Sequence, residues 1–391
     1  PEFKNLLDLV VPMPLAQQPD IWAQITVPNE FQAVGRYNIG FTAGMETTLV
    51  DGGWVEGMNR MDINFVSSEH SKKSFLNSVY EKRDKQGNVL EQSIQVTKPM
   101  EVLFEGANLE KYFAKKVNPN LQLNLSLDSI KESFAYLFVG HWMQGKIGED
   151  RKNVGLLIKA FLETFKNKKK TPALILKTSQ SGASYMDRDE ILRKIQTIKD
   201  SVNSKNLPNI YLLHGEFSNE EMNSIYNHSK VKAMVSLTKG EGFGRPLLEF
   251  TQSKKPLIVS GWSGHMDFIN SDYVTVLNGQ LEKVHKSAAD KFLLAESQWF
   301  SVDYNQAGGV MRDMVNNYKP YLEKSRKHRK YSKDNFSFDK MVEKIGELFD
   351  DNNIKVTQQP QQVGLKLPTL KKVNKKVEPP KINLPKLKKV K

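Results

Sequence analysis

The sequence predicts an α/β protein built around parallel β-sheets. Between residues 130 and 335, short apolar runs alternate with segments of helical periodicity, beginning with AYLFVG (135–140) and VGLLIKAFLETFKNKKK (154–170). The runs are apolar at consecutive positions, as in strands that are covered on both faces. Strands and helices in this alternation are typical of a doubly wound parallel sheet.

The elements that follow continue the alternation. They are the strand ALILKT (173–178), the helix RDEILRKIQTIKDSV (188–202), the strand NIYLLHG (209–215), the helix NEEMNSIYNHS (219–229), the strand VKAMVSL (231–237), the helix GRPLLEFTQS (244–253) and the strand KPLIVSG (255–261). Residues 129–335 are therefore predicted to form one domain, followed by a C-terminal helix at 336–351.

Residues 1–128 show a similar but sparser pattern. The candidate strands are DIWAQITVP (20–28), YNIGFTAG (37–44), MDINFVSS (61–68) and MEVLFEG (100–106), and the candidate helices are GGWVEGMNR (52–60) and HSKKSFLNSVYEKR (70–83). Because these are few elements for an independent α/β domain, we expect an N-terminal domain that lacks its first βα units.

The positive charge of the chain is concentrated in its last forty residues. Eleven lysines and one acid give residues 352–391 a charge of +10, out of +13 for the whole chain. This segment is rich in Pro, Lys and Gln, has no aromatic residue, and is predicted to be disordered. It is either a solubilising tail or a docking segment for an acidic surface such as nucleic acid.

Several features exclude other classes of protein. No cysteine is present, which excludes disulfides and thiolate metal sites, and the seven histidines show no metal-ligand spacing. GHWMQGKI (140–147) has Ile147 where a P-loop needs Ser or Thr. There is no apolar stretch of about 20 residues and no secretory signal, so we expect a cytoplasmic protein.

The most informative stretch is KGEGFGRPLLEF (239–250). It follows a strand and leads into a helix with Pro246 near its first turn, an arrangement that presents free N–H groups to an anion such as phosphate. Gly242 and Gly244 let the backbone approach closely, while Glu241 and Glu249 can each accept hydrogen bonds from sugar hydroxyls. The pattern fits a nucleotide-sugar. It also fits an ordinary glycine turn with one capping and one solvated glutamate.

EGFGRPLLE resembles the E-x7-E signature of the GT-B glycosyltransferases of the family-4 type. The resemblance extends to GEDRKNVGLLIKAF (148–161) and KPLIVSGWSGHMDFI (255–269), and to NIGFTAGMETTLVDGGWVEGMNRMDINFVSSEHSKKSF (38–75) and VLFEGANLEKYF (102–113). It implies two Rossmann-like domains facing across a cleft. One departure is His141, because many members of the family have an arginine directly after the glycine that corresponds to Gly140.

The resemblance implies transfer of a sugar from an NDP-sugar with retention of configuration and without a metal or other cofactor. Lys152, with Arg151, would neutralise the diphosphate together with the N–H groups near Phe243 and Gly244. Glu241 would hold the sugar and Glu249 the ribose. The base would contact Thr178, His214 and Gly215, and Glu46 would either face the acceptor or serve as a structural residue.

The acceptor is not identified by the sequence. A glycan or lipid-linked sugar is common in the family, whereas the basic tail favours a modified DNA base, as in phages, which would place the protein in the host cytoplasm. A different class also fits: a catalytically inactive GT-B-like protein with a structural or nucleic-acid-binding role. The oligomeric state is not predicted.

Overall fold

The structure is a computed structural model that describes residues 4–11, 14–115, 122–180, 182–352 and 354. The predicted basic tail, 352–391, lies outside the described residues except for Asn352 and Ile354. In the described part of the chain, no helix has both the length and the apolar character needed to cross a bilayer.

The first sheet contains four parallel strands in the order β1-β2-β3-β6, and the part of the chain around it is called the N-lobe below. Its strands are β1 (Ile21–Ile25), β2 (Tyr37–Thr42), β3 (Ile63–Val66) and β6 (Met100–Val102). The helices α2 (Gly52–Asn59) and α3 (Glu69–Leu76) cover one face of this sheet. A short helix, α1 (Lys4–Leu7), precedes β1 in the sequence. Asp51 and Ser68 cap α2 and α3, because each side chain accepts a hydrogen bond from a free N–H of the first turn.

The second predicted helix of this lobe is too long. α3 ends at Leu76, and the last residues of the predicted helix form β4 (Tyr80–Arg83), which pairs as an antiparallel hairpin with β5 (Val89–Ile94). Asp84 explains the turn, because its carboxylate accepts hydrogen bonds from the N–H groups of Gln86 and Asn88, and Gly87 has a φ of 90°. Local side-chain bonds therefore outweigh helical periodicity here.

The second sheet contains six parallel strands in the order β12-β11-β10-β7-β8-β9, and the part of the chain around it is called the C-lobe. Its strands are β7 (Ala135–Val139), β8 (Ala173–Lys177), β9 (Ile210–Leu213), β10 (Val231–Ser236), β11 (Leu257–Ser260) and β12 (Thr275–Leu277). Its helices are α4 (Gln122–Asp128), α5 (Val154–Phe165), α6 (Tyr185–Asp200), α7 (Asn219–Asn227), α8 (Arg245–Thr251), α9 (Tyr304–Asn316) and α10 (Tyr318–Phe336). A short antiparallel pair, β13 (Gly279–Lys283) and β14 (Gln298–Val302), lies between β12 and α9.

The prediction placed the lysines of KNKKK (166–170) at the end of α5, and this is wrong. The helix stops at Phe165, and Asn167 has a left-handed φ of 61°. Its N–H donates to the carbonyl of Asn206, which ties the segment to the loop before β9. The lysines therefore belong to the loop that enters β8.

The chain crosses between the lobes twice, and the two crossings are hydrogen-bonded to each other. Ala107 donates its N–H to the carbonyl of Phe336 and accepts the N–H of Phe338, both at 2.8 Å. α11 (Phe338–Asp351) then returns to the N-lobe, where Leu348 and Phe349 pack on the face of the sheet opposite α2. Burial of this apolar surface holds the C-terminal helix against the first lobe.

Candidate active site

The strand order of the C-lobe defines where a ligand crevice can form. From β7 the sheet grows outward through β8 and β9, and from β10 it grows the other way through β11 and β12. In open α/β sheets, the crevice lies at the carboxyl ends of the two strands where the order reverses. Here those strands are β7 and β10, and the loops that leave them are 140–153 and 237–244.

The glycine loop after β10 turns into α8 at Gly244. This residue caps the helix with a φ of 92°, a conformation that favours glycine, and Pro246 occupies the first turn. The helix has only seven residues, so its dipole is small. Side-chain charges rather than the helix therefore dominate the electrostatics of the crevice.

Glu241 and Lys152 meet in this crevice as an ion pair. The Lys152 ammonium donates to both carboxylate oxygens of Glu241, at 2.6 and 2.7 Å. Burial by itself raises the pKa of Glu241, but Lys152 and Arg151 together hold that pKa below its usual value. Burial also lowers the pKa of Lys152, and Glu241 opposes that shift.

Arg151 connects the glutamates of the two lobes. Its Nη2 lies 3.1 Å from Oε1 of Glu46, and its Nη1 lies 3.8 Å from Oε2 of Glu241. Nη1 also donates to the carbonyl of Gly240 at 2.9 Å. The structure thus brings together the three residues predicted to carry the chemistry, together with Arg151.

The N-lobe closes directly over this cluster. A Cβ on Gly240 would lie 1.8 Å from the carbonyl oxygen of Glu46, so only glycine permits this approach. The carbonyl of Gly242 accepts a hydrogen bond from Ser68 Oγ at 2.6 Å and from Ser67 Oγ at 3.3 Å. As a result, Glu241 is only 8% exposed.

Glu249 faces a different space from Glu241. It lines a cavity of about 590 Å³ between the lobes, together with Arg245, Glu105 and Tyr112. Burial raises the pKa of Glu249 to about 7, because Arg245 Nε, 3.5 Å away, only partly stabilises the charged form. The two carboxylates of the E-x7-E pattern therefore have separate surroundings and separate partners.

The residues predicted to contact the base lie at the carboxyl ends of β8 and β9. Thr178 is buried, and the Nε2 of His214 lies 2.7 Å from Oδ2 of Asp187 in the first turn of α6. Gly215 has a φ of 132° with open space where a Cβ would be. His141 is exposed and contacts Ser179 Oγ through Nδ1 at 3.1 Å.

Sequence reasoning missed the residues that orient Glu241. Ser263 Oγ accepts the N–H of Glu241 at 2.9 Å, and His265 Nδ1 lies 3.4 Å from the same Oγ. His265 Nε2 lies 2.7 Å from the carbonyl of Ser260, so this nitrogen carries the proton and Nδ1 accepts. Phe243 is buried against Phe268 and supports the loop. Ser263 and His265 both lie in KPLIVSGWSGHMDFI (255–269), a segment that carries the family resemblance but for which no individual residue role was predicted.

No group of three or more acidic or histidine side chains in the described segments is arranged to hold a metal ion. The prediction that no metal is used stays a prediction.

Comparison with known proteins agrees with this fold. Residues 146–306 match the family described as glycosyl transferases group 1. Sucrose-phosphate synthase from Thermosynechococcus elongatus superposes with a TM-score of 0.55 at 11% identity, covering 86% of this chain and 74% of that chain. A search of curated proteins found no match.

Two further solved structures superpose over similar lengths. One is from E. coli, described as trehalose-6-phosphate bound with UDP-2-fluoro glucose, with a TM-score of 0.55, 13% identity and coverage of 90% of this chain and 75% of that chain. The other is Anabaena Alr3699/HepE in complex with UDP-glucose, with a TM-score of 0.54, 11% identity and coverage of 81% and 72%. At these identities the likeness shows the fold alone, and the predicted GT-B arrangement is confirmed.

Proposed function

We propose that this protein transfers a sugar from a nucleoside-diphosphate sugar to an acceptor hydroxyl, with retention of configuration. Glycosyl transfer in general is supported by the family match at 146–306 and by the fold. The donor class is supported by two of the similar structures, which were solved with UDP-sugars or an analogue. The observation that carries the proposal is the cluster of Glu241, Lys152, Arg151 and Glu46 beside the switch point of the C-lobe sheet.

The chemistry requires positive charge where the leaving group departs. As the bond between the anomeric carbon and the diphosphate breaks, the electron pair leaves on a phosphate oxygen, and the acceptor oxygen bonds to the carbon and gives up its proton to the departing diphosphate. Lys152 and Arg151 would neutralise the developing charge in place of a metal ion. They now pair with carboxylates, so donor binding would exchange Glu241 and Glu46 for phosphate oxygens.

The two glutamates of the glycine loop would then take different parts of the donor. Released from Lys152, Glu241 would accept hydrogen bonds from sugar hydroxyls and stabilise positive charge on the ring. Glu249 lines the interlobe cavity, whose volume of about 590 Å³ falls within the range of small-molecule sites, and there it would hold the ribose. Thr178, His214 and Gly215 stay predicted base contacts.

The test is a thermal-shift screen of the full chain with UDP-, GDP-, ADP- and TDP-sugars. A donor that binds the folded state raises the unfolding temperature of the wild type, since binding stabilises by RT ln(1 + [L]/Kd). The matched variants are Lys152→Met and Lys146→Met, which make the same change in one loop at a partly buried and an exposed position. We expect the shift to persist in Lys146→Met and to disappear in Lys152→Met.

The competing function is a catalytically inactive GT-B-like protein, and the closure over Glu241 favours it. If the wild type responds to none of the sugars and releases no NDP, this alternative is preferred. Activity that survives EDTA would support the metal-free mechanism. A glycan and a modified DNA base are the two acceptor classes to supply to a protein that binds a donor.

A further inference from the structure

One edge of the C-lobe sheet is lined with lysines. Because its six strands are parallel, the segments that enter them lie together at the amino end, opposite the candidate active site. The segments entering β11, β10, β7, β8 and β9, which are neighbours in that order, all contain lysine.

Six of these lysines are exposed, and together they are called the lysine edge. They are Lys131 before β7, Lys168, Lys169 and Lys170 before β8, Lys205 before β9, and Lys254 before β11. The segment before β10 contributes Lys230, whose ammonium donates to the carbonyl of Ile130 at 2.9 Å. Five neighbouring strands at a spacing of about 4.8 Å give a row of roughly 19 Å.

Helix α10 extends the same positive surface. The hydroxyl of Tyr318 donates to the carbonyl of Lys232, and that of Ser325 to the carbonyl of Lys254, which fixes the helix beside the entrances of β10 and β11. Its exposed cations near these contacts are Lys319, Lys324, Arg326 and Lys327.

The charges of the lysine edge are not neutralised locally. Among the described residues, no carboxylate lies within 4.0 Å of an ammonium of the lysine edge. The acids of the same loops have other partners: Glu132 accepts from Asn209 and Tyr211, and Asp128 pairs with His228. Burial, with a smaller contribution from repulsion by Lys232, lowers the pKa of nearby Lys255 to about 7.

We propose that the lysine edge binds the phosphate backbone of a nucleic acid. A row of roughly 19 Å spans five to six phosphates of one B-form strand, at about 3.4 Å along the axis per phosphate. The described loops of this edge expose no large apolar side chain, whereas surfaces that insert into membranes combine basic and apolar residues. The edge lies a strand length from the active site, so this binding does not depend on sugar transfer.

The test measures fluorescence anisotropy of a labelled 30-base-pair DNA duplex with the full chain, between 50 and 200 mM NaCl. The edge variant is Lys131→Glu/Lys169→Glu/Lys254→Glu, which reverses one charge at each of three strands. The matched control is Lys85→Glu/Lys283→Glu/Lys286→Glu, which makes the same change in net charge at exposed lysines elsewhere. The basic tail is common to all the proteins, so its contribution does not distinguish them.

We expect the edge variant to bind at least tenfold more weakly than the control variant at 100 mM NaCl. Its slope of log affinity against log salt should fall by about 3, since each phosphate contact contributes about 0.9. Glutamine at the same three positions should reduce the slope as well, with unchanged circular dichroism. Equal losses in the edge and control variants, or no binding by the wild type, would overturn the proposal. So would an edge variant that loses binding to vesicles of phosphatidylcholine with 30% phosphatidylserine but keeps its affinity for DNA.

Discussion

The pairing of Lys152 with Glu241 makes opposite predictions for stability and for activity. In Lys152→Met, Glu241 keeps its negative charge in a site where its side chain is only 11% exposed. Removal of one partner of a buried pair costs about 3–5 kcal/mol. Arg151 remains 3.8 Å from the carboxylate, so we expect a loss nearer about 2–3 kcal/mol in the free energy of unfolding. Donor turnover, followed as NDP release, should fall about 10²–10³-fold, as when one charge-stabilising group is removed.

The double variant Lys152→Met/Glu241→Gln separates the two effects. Because both charges are gone, its stability should return to within about 1 kcal/mol of the wild type, while its activity stays lost. The measurement is urea unfolding of the wild type, both single variants and the double variant. The folded-state pKa of Glu241 is lowered in the wild type, so the stability from the pair is present above the unfolded pKa and is lost as the pH falls through the folded pKa. The destabilisation by Lys152→Met should therefore be larger at pH 7.5 than at pH 4.5. Wild-type stability in Lys152→Met at pH 7.5, or wild-type activity in the double variant, would refute the reasoning.

Three further predictions concern Glu249, Gly240 and Leu348. Burial raises the folded-state pKa of Glu249 to about 7, so ionisation of this residue costs stability increasingly as the pH rises from the unfolded pKa to about 7. Glu249→Gln should therefore stabilise the protein at pH 8 and have little effect at pH 4. An equal effect at both pH values would contradict the raised pKa of Glu249. Gly240→Ala places a Cβ 1.8 Å from the carbonyl oxygen of Glu46 and should lower both stability and NDP release. The control is Gly309→Ala in α9, where a Cβ would meet open space, and it should be neutral or raise the free energy of unfolding in urea by about 0.5–1 kcal/mol. Leu348→Ala should cost about 2–5 kcal/mol and make α11 sensitive to limited proteolysis; a protected helix would show that other contacts hold it.

Most of the fold follows from local signals in the sequence. The strands of the C-lobe from β7 to β11 were predicted because their apolar runs are unbroken and are separated by helical periodicity. The hairpin β4–β5 was missed because a single Asx turn at Asp84 decides it, and β12 to β14 were missed because their segments are short and mixed in polarity. The end of α5 was placed too late because Asn167 leaves the helical region without a proline or glycine to mark it.

The site was only partly accessible to the same reasoning. Its charged residues are recognisable by type and spacing, and their roles stay predictions. The arrangement is not recognisable, because Glu46, Arg151 and Glu241 come from distant segments and meet only after the lobes have packed. Ser263 and His265 act through the backbone of Glu241, so no motif in their own segment reveals that connection.

The bonds of Ala107 to Phe336 and Phe338 tie the two segments that cross between the lobes to each other. Because these two segments are hydrogen-bonded to each other, we expect them to act as a single hinge if the lobes rotate apart. Rotation about that hinge would displace most the parts of each lobe that lie farthest from it. The contacts of the N-lobe over Glu241 would then open while α11 remains packed on the first sheet.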